Sequence, residues 1–331
     1  MAATIHDVAK LAGVNSSTVS RVINGKATVM EETREKIYAA MRELDYHPNS
    51  LARSLANGQS GAIGVVVDAE DAEAFSNVFF NRSLFAIEKV AQERGYHVIL
   101  ANGAKRAGGM GSIEKLVLER KVEGLILPPS TVKPSLLKKI QSFPCVVLGQ
   151  PEATHHDLSW VDVNNTQGAE AAVRHLIERG YQRIAYLGGE GRTGFSKRRV
   201  KGYEKALEKQ EAFIYPTDGT VEDAQRIALD TLNTANHSDA FLCNDNITAF
   251  GLLRAAKELG LSVPAQVGVV TFDNYPLAEF MDPPLTSVDV DTALLGEQAA
   301  RLLFQHIDHH TPSQQVLLGT TLIERASSHR M

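Results

Sequence analysis

The sequence has little of several things, and each absence removes a class of protein. Among 331 residues there are two cysteines and one tryptophan. Cys145 and Cys243 both lie inside apolar runs and read as small core residues, because two such cysteines do not make a disulfide framework. No apolar run approaches the roughly 20 residues that a membrane-spanning helix needs. The first ten residues include Asp7 and Lys10 and no apolar h-region, so no secretory signal is expected and the protein is placed in the cytoplasm. There is no surplus of base either: 34 Lys+Arg against 39 Asp+Glu give a formal charge of -5, on totals a poor balance for binding nucleic acid. Catalytic sets are lacking too. Ser112 and Lys115 fit S-x-x-K, a spacing common on solvated helices, and His306, Asp308, His309 and His310 read as a polar surface stretch rather than a metal site. What is present is 44% hydrophobic and 22% charged residues, the balance of an ordinary folded protein with one large domain or two to three smaller ones.

The first 60 residues differ from the rest. Thr4 with Asp7 three residues on is a capping-box-like start, followed by Ile5, Val8, Ala9, Leu11 and Ala12 at helical spacing. Gly13 breaks that helix. Asn15 or Ser16 caps a second, with Val19, Val22 and Ile23 on its apolar side and a stop at Asn24-Gly25. A third runs from about Glu31 to Leu44, and Pro48 ends the segment. Residues 4–24 are a helix-turn-helix in sequence form. Ala9 is small where the second helix packs, Gly13 tolerates φ > 0 in the turn, Val19 anchors, and Ser16, Ser17, Thr18, Ser20 and Arg21 put polar groups at the end that enters a major groove. Residues 49–60 form a bridge whose two-turn helix holds only Leu51, Ala52, Leu55 and Ala56 on its apolar side, too short to stand alone in water.

From residue 61 short apolar runs (Ala62–Val67, His97–Ala101, Gly124–Leu127, Cys145–Leu148, Arg183–Leu187, Ala240–Cys243, Val267–Phe272) alternate with amphipathic stretches. That alternation predicts parallel sheets flanked by helices, and about 270 residues are long for one sheet and comfortable for two. A break is expected near Ser159–Trp160, with crossings near Val288–Asp291 and Leu318–Thr321. This gives one lobe of about 61–159 and 291–318 and another of about 160–288 and 321–331. Ligands bind such folds beyond the carboxyl ends of the strands. One enzyme-like foothold exists: Gly189-Glu190-Gly191-Arg192-Thr193-Gly194 fits G-x-G-x-x-G after an apparent strand. It keeps open an NAD(H)-sensing regulator, but Glu208 and Glu211 lie in or at the end of a helical stretch rather than after a second strand. A free-standing sugar-transport protein is the other alternative, and the helix-turn-helix head argues against it.

The stretch IHDVAKLAGVNSSTVSRVIN, continuing in TREKIYAAMRELDYHPNSLARSLANGQSGAIGVVV, closely resembles the lactose/galactose repressor (LacI/GalR) family of bacterial transcription regulators. VDVNNTQGAEAAVRHLIERGYQRIAYLGG, FLCNDNITAFGLLRAAKELGLSVP, GVVTFDN and PPLTSVDVD resemble that family's effector-binding core, in order and over nearly the whole chain. The resemblance implies an all-α helix-turn-helix head (1–48), a hinge helix or linker (49–60) and an α/β two-lobed core like that of periplasmic binding proteins (61–331). It further implies a homodimer on a near-palindromic double-stranded DNA operator, a carbohydrate effector, no cofactor, and no enzymatic activity. By matching positions, Ser16, Ser17 and Arg21 fall where the family's recognition helix meets base edges. Thr18, Ser20 and Asn24 fall where it meets phosphates. Asn49 belongs to the hinge, and Leu55 matches the leucine that wedges into the minor groove.

In the effector pocket Arg199 aligns with the arginine that grips hydroxyls or carboxylates, and Asp273 with the carboxylate that accepts from sugar hydroxyls. Asn244 and Asp245 follow their strand in the same way, and Phe79 and Trp160 offer an apolar face for a pyranose ring. Two departures count against lactose-like monosaccharide recognition: Gly149 stands where the lactose regulator has an acid, and Asp218–Asp223 lacks its aromatic. SNVFF, LGQP, VDVNN and FDNYPLAEF look more like the maltose/maltodextrin regulators. A phosphoprotein corepressor, used in one branch of the family, is left open. Charge is distributed to suit this reading: residues 1–60 hold seven basic and six acidic groups, for +1, leaving -6 on the remainder.

Overall fold

The computed structural model describes residues 3–23, 29–47, 60–67, 78–103, 111–140, 143–152, 157–189, 193–234 and 237–330. The chain divides into two compact units, Met1–Gly61 and Ala62–Met331. Among the described residues no helix is long and apolar enough to cross a membrane.

Among its described residues the first unit has three helices, α1 (Ile5–Ala12), α2 (Ser16–Ile23) and α3 (Glu31–Glu43). The expected capping box is present: the Thr4 hydroxyl accepts from the Asp7 amide, and the Asp7 carboxylate accepts from the Thr4 amide at 2.8 Å. Gly13 closes α1 at φ 68°, a left-handed conformation that a β-carbon disfavours. Val8, Ala9, Val19, Val22, Ile37 and Ala40 make the core. It is small, as a unit of this length requires. Asn24, Asn49, Leu55 and the hinge lie outside the described residues, Ser60 excepted.

Among its described residues the second unit holds two six-stranded sheets. The strands are β1 (Ala62–Val67), β2 (His97–Asn102), β3 (Gly124–Leu127), β4 (Cys145–Leu148), β5 (Ser159–Val163), β6 (Ile184–Leu187), β7 (Phe213–Tyr215), β8 (Ala240–Cys243), β9 (Gly268–Phe272), β10 (Thr286–Asp289), β11 (Gln315–Leu318) and β12 (Thr321–Ile323). The helices are α4 (Val78–Glu93), α5 (Ser112–Leu118), α6 (Pro134–Lys139), α7 (Asn165–Glu178), α8 (Gly194–Leu207), α9 (Val221–Leu232), α10 (Asn246–Glu258) and α11 (Thr292–His309). One sheet runs β11-β5-β4-β3-β1-β2 and the other β12-β10-β9-β8-β6-β7. Every pairing is parallel except β10 with β12. Interior strands such as β1, β3, β6 and β8 are buried along their whole length, which is why they read as unbroken apolar runs.

The break between lobes lies later than Ser159–Trp160. All of β5 belongs to the first sheet, paired to β4 and β11, because Val161 and Val163 pack into the first lobe's core with Ile63, Ile87 and Phe304. The chain passes to the second lobe at Asn164. It returns between β10, in the second sheet, and α11, whose Leu295, Leu303 and Phe304 pack on the first. It crosses once more between β11 and β12. The strand β7 was not among the apolar runs: three residues in which one side chain of three is exposed leave too little pattern to detect.

Candidate functional site

In the head, α2 buries Val19 and Val22 and turns Ser17 and Arg21, four residues apart on one helical face, to solvent. Ser16, Thr18 and Ser20 are half-buried at its flanks. The acids Glu31 and Glu32 on α3 are paired to Arg34 (3.1 Å) and Lys36 (2.8 Å) of the same helix, so their charge is largely compensated where it sits. The exposed face of α2 is therefore polar, with one guanidinium and no acid.

In the second unit, the candidate residues gather at the carboxyl ends of the second sheet. Glycine permits this packing. At Gly188, after β6, φ is 150° and a Cβ would stand 2.1 Å from the Cβ of Asn244, so only glycine lets the two strand ends close up. The next helix, α8, is capped by the Thr193 hydroxyl accepting from the Ser196 amide. It carries Arg199 into a buried position, where Nε donates to Asn165 Oδ1 at 2.9 Å and a terminal nitrogen donates to the Asn244 carbonyl. The guanidinium lies over the Phe272 ring (3.8 Å to its centroid) with Phe195 5.0 Å away. An arginine stacked on an aromatic face keeps its planar donor edge in one orientation.

Asp273 faces it at 3.8 Å, ion-pair range but too long for a hydrogen bond, and Asp273 Oδ1 is buried with no hydrogen-bond partner. Burial pushes this carboxyl above its ordinary value of 3.8; Arg199 opposes that shift, while Asp245 and Asp289 add to it. Asp273 adopts φ 65°, a left-handed conformation that Asp tolerates better than most residues.

Asn244 and Asp245 are brought to the same place but are occupied. Asn244 Oδ1 accepts from the Tyr186 hydroxyl (2.7 Å) and the Ser196 hydroxyl (2.8 Å), and its amide donates to Asp245. Asp245 caps α10, accepting from Thr248 N and Oγ1, both at 2.8 Å. These two build the floor rather than offer open valences. Trp160 is not a free platform: it is 7% exposed and packs with Val147 and Leu158, because the middle of β5 is core. Phe79, at the start of α4, rests partly buried on the first lobe's core.

Asp162 and Arg198 went unnoticed in the sequence. Asp162, at the end of β5, accepts from the amides of Gln150 (2.9 Å) and Val163 (2.8 Å). Arg198 reaches it from α8, in the other lobe, at 3.2 Å and also donates to the Gln150 carbonyl at 3.0 Å. Lys197 meets Glu152 at 3.3 Å beside it. The first turns of α8 are thus tied to the first lobe while Arg199, one residue on, faces the second. Asp162 lies inside the VDVNN motif, and its place after an apolar run was the signal available.

The other candidates have local roles. Asp218, the acid that follows β7, accepts from Thr220 N (2.8 Å) and Oγ1 (2.7 Å). His306 bridges Ser159 Oγ (2.6 Å) and Thr311, and Asp308 pairs with Arg94 at 2.6 Å.

Residues 4–49 match the model for bacterial regulatory proteins of the lacI family, and residues 173–328 the periplasmic binding protein-like domain. The chain is 32% identical to the HTH-type transcriptional repressor PurR of Escherichia coli O1:K1 / APEC over 98% of its own length and 96% of the relative's. Among solved structures it is similar to the lac repressor dimer bound to operator and the anti-inducer ONPF (TM-score 0.86, 28% identity, 99% of each chain). It is also similar to a transcriptional regulator CelR–cellobiose complex (TM-score 0.72, 30% identity, 98% of this chain and 99% of that one). The chain belongs to the lacI family of bacterial regulatory proteins: it is a DNA-binding transcriptional repressor governed by a small-molecule effector.

Proposed function

We propose that the effector is a neutral carbohydrate of the maltose/maltodextrin kind and that the regulated genes serve carbohydrate use. The observation that carries this is Arg199, packed against Phe272 and Phe195, facing Asp273, whose Oδ1 lies 3.8 Å away and accepts no hydrogen bond. A donor fork opposite an open acceptor suits a ligand whose every hydroxyl both gives and accepts. Arg198 and Arg199 are each faced by a carboxylate, so the site favours a neutral ligand over a phosphorylated one. The similarity to a regulator complexed with cellobiose points the same way.

In this reading two copies of the chain hold a near-palindromic operator. Ser16, Ser17 and Arg21 meet base edges, Thr18, Ser20 and Asn24 meet phosphates, and Asn49 and Leu55 act from the hinge. Arg199 and Asp273 hold the sugar, Asn244 and Asp245 position them, and Phe79 borders the site. Sugar binding alters lobe closure through α8, which both lobes grip, and releases the operator; a coupling of about 1–3 kcal/mol suffices.

The test is a thermal-shift screen of the full chain with mono- and disaccharides, sugar phosphates, purines and NADH, followed by operator titration with each ligand that stabilises. A neutral sugar that both raises Tm and weakens operator binding is the expected result. Stabilisation by a purine, a sugar phosphate or NADH with no sugar response would overturn the proposal.

A further inference from the structure

With Ala169, Ala172, Val173 and Leu176, the helix α7 buries one imidazole, His175, which is 5% exposed. A buried polar side chain needs hydrogen-bond partners. This one finds its partner far away in the chain, in the segment that follows β12. Residues 324–330 run across the amino end of the second sheet. Ser327 Oγ donates to the Val269 carbonyl (2.6 Å) and accepts from the Thr286 amide (2.8 Å), near the starts of β9 and β10. Arg330 meets Asp239 at 3.2 Å, ahead of β8. Since β12 comes directly from the crossing out of the first lobe, these contacts pin the last link between the lobes.

The close contacts fix where the hydrogens are. Thr286 Oγ1 lies 2.9 Å from the Arg325 carbonyl, which only accepts, so the Thr286 hydroxyl donates there. Ser328 Oγ lies 2.6 Å from Thr286 Oγ1 and must therefore donate to it. His175 Nε2 lies 2.7 Å from Ser328 Oγ, whose one hydrogen is spent, so the ring donates from Nε2. The neutral ring then carries no hydrogen on Nδ1, which faces Glu324 Oε2 at 3.8 Å. Glu324 is already held by Arg179 (2.6 Å), with His329 Nε2 at 3.3 Å. A proton arriving on Nδ1 would put a charge on a buried ring beside the Arg179 guanidinium and 6.2 Å from the His329 ring.

We propose that residues 324–330 are an acid-sensitive strap locked by His175: the neutral ring holds Ser328 through Nε2, and protonation of Nδ1 frees the strap from α7. Burial holds His175 below its ordinary value of 6.5; Arg179 and His329 act the same way, while Glu324 and Glu178 oppose them. The folded strap thus binds this proton more weakly than the open one. Its lock is complete above 6.5 and is lost as pH falls through the lower, folded-state value. The Arg179 hydrogen bond keeps Glu324 below its ordinary 4.5, so that carboxylate stays ionised while His175 titrates.

The experiment is hydrogen exchange by mass spectrometry on the full-length protein and its His175→Gln and Glu324→Gln variants, from pH 7.5 to 5. Protection factors remove the intrinsic pH dependence of exchange. In the wild type, protection of peptides covering 321–330 should fall at least about threefold towards acid. His175→Gln keeps a donor for Ser328 but does not titrate, and its protection should stay level. Glu324→Gln removes a carboxylate that favours the charged ring, so its loss of protection should move to lower pH. Nitrogen-15 NMR of the wild type at pH 7.5 should show a neutral His175 with its hydrogen on Nε2. Level protection in the wild type, a wild-type profile in His175→Gln, or a His175 that is charged or protonated on Nδ1 at pH 7.5 would each overturn the proposal. Should His175→Gln fail to fold, Glu324→Gln decides: a midpoint that stays or rises refutes the lock.

Discussion

Replacing Arg199 with methionine tests the charge arithmetic of the cleft. The side chain is 6% exposed and faces Asp273, 13% exposed, so its removal leaves a carboxylate nearly buried with no cation beside it. Breaking a buried pair from one side costs about 3–5 kcal/mol, and the loose 3.8 Å separation points to the lower end. For a unit of this size about 3 kcal/mol corresponds to a fall in Tm of about 6–12 °C. The sign of the pH dependence is fixed as well. Burial already raises Asp273 above 3.8, so the folded state binds that proton more tightly than the unfolded chain. Such a group stabilises fully below 3.8 and loses its contribution as pH rises through the folded-state value. Without Arg199 the folded-state value climbs further, and the stability of Arg199→Met falls more steeply from acid to neutral pH than that of the wild type. Adding Asp273→Asn removes the stranded charge and should recover about 2 kcal/mol, a non-additivity expected of residues in contact. The assay is thermal unfolding of the wild type, Arg199→Met, Asp273→Asn and the double variant at one protein concentration across that pH range. If Asp273→Asn gives no recovery in the Arg199→Met background, or the pH profiles of wild type and Arg199→Met run parallel, the two residues are not the coupled pair described here.

Three further outcomes are expected. Arg21→Ala, on the exposed face of α2, should weaken binding to a specific operator by about 1–3 kcal/mol in fluorescence anisotropy, with a smaller effect on random-sequence DNA. Leu55→Ser should likewise reduce specific binding far more than non-specific binding, and equal losses would remove the minor-groove wedge. Gly202→Ala should lower Tm by several degrees, since the added Cβ would stand 2.1 Å from the Thr166 carbonyl oxygen of α7 and force the two helices apart.

Much of the fold was legible because its signals are local. A capping box, a left-handed glycine and buried valines at helical spacing define α1 and α2 without reference to the rest of the chain. Strands buried on both faces appear as apolar runs whatever their order in the sheet. β5 was misread as a boundary because its apolar character does not say which lobe it serves; pairing with β4 and β11 decides that. β7 escaped because three residues at a sheet edge carry no period.

The site divides along the same line. Arg199 and Asp273 were singled out by the family resemblance, with position after a strand in agreement, and the structure sets them 3.8 Å apart. Trp160 was misjudged because an aromatic in a strand looks alike in a core and in a cleft, and burial against Val147 and Leu158 settles which it is. Asn244 and Asp245 proved to be committed to Tyr186, Ser196 and the cap of α10, a matter of distances that spacing does not encode.

By itself, then, the sequence determined a helix-turn-helix head and an α/β core of paired lobes, because each rests on periodicity, capping or residue chemistry within a short stretch. Tertiary structure decided what depends on residues far apart in the chain: that Arg198 ties α8 to Asp162 across the lobes, and which buried polar atoms are left without hydrogen-bond partners. Hydrogen bonding between distant residues is a property of the packed molecule, and it is there that His175 and Ser328 come into view.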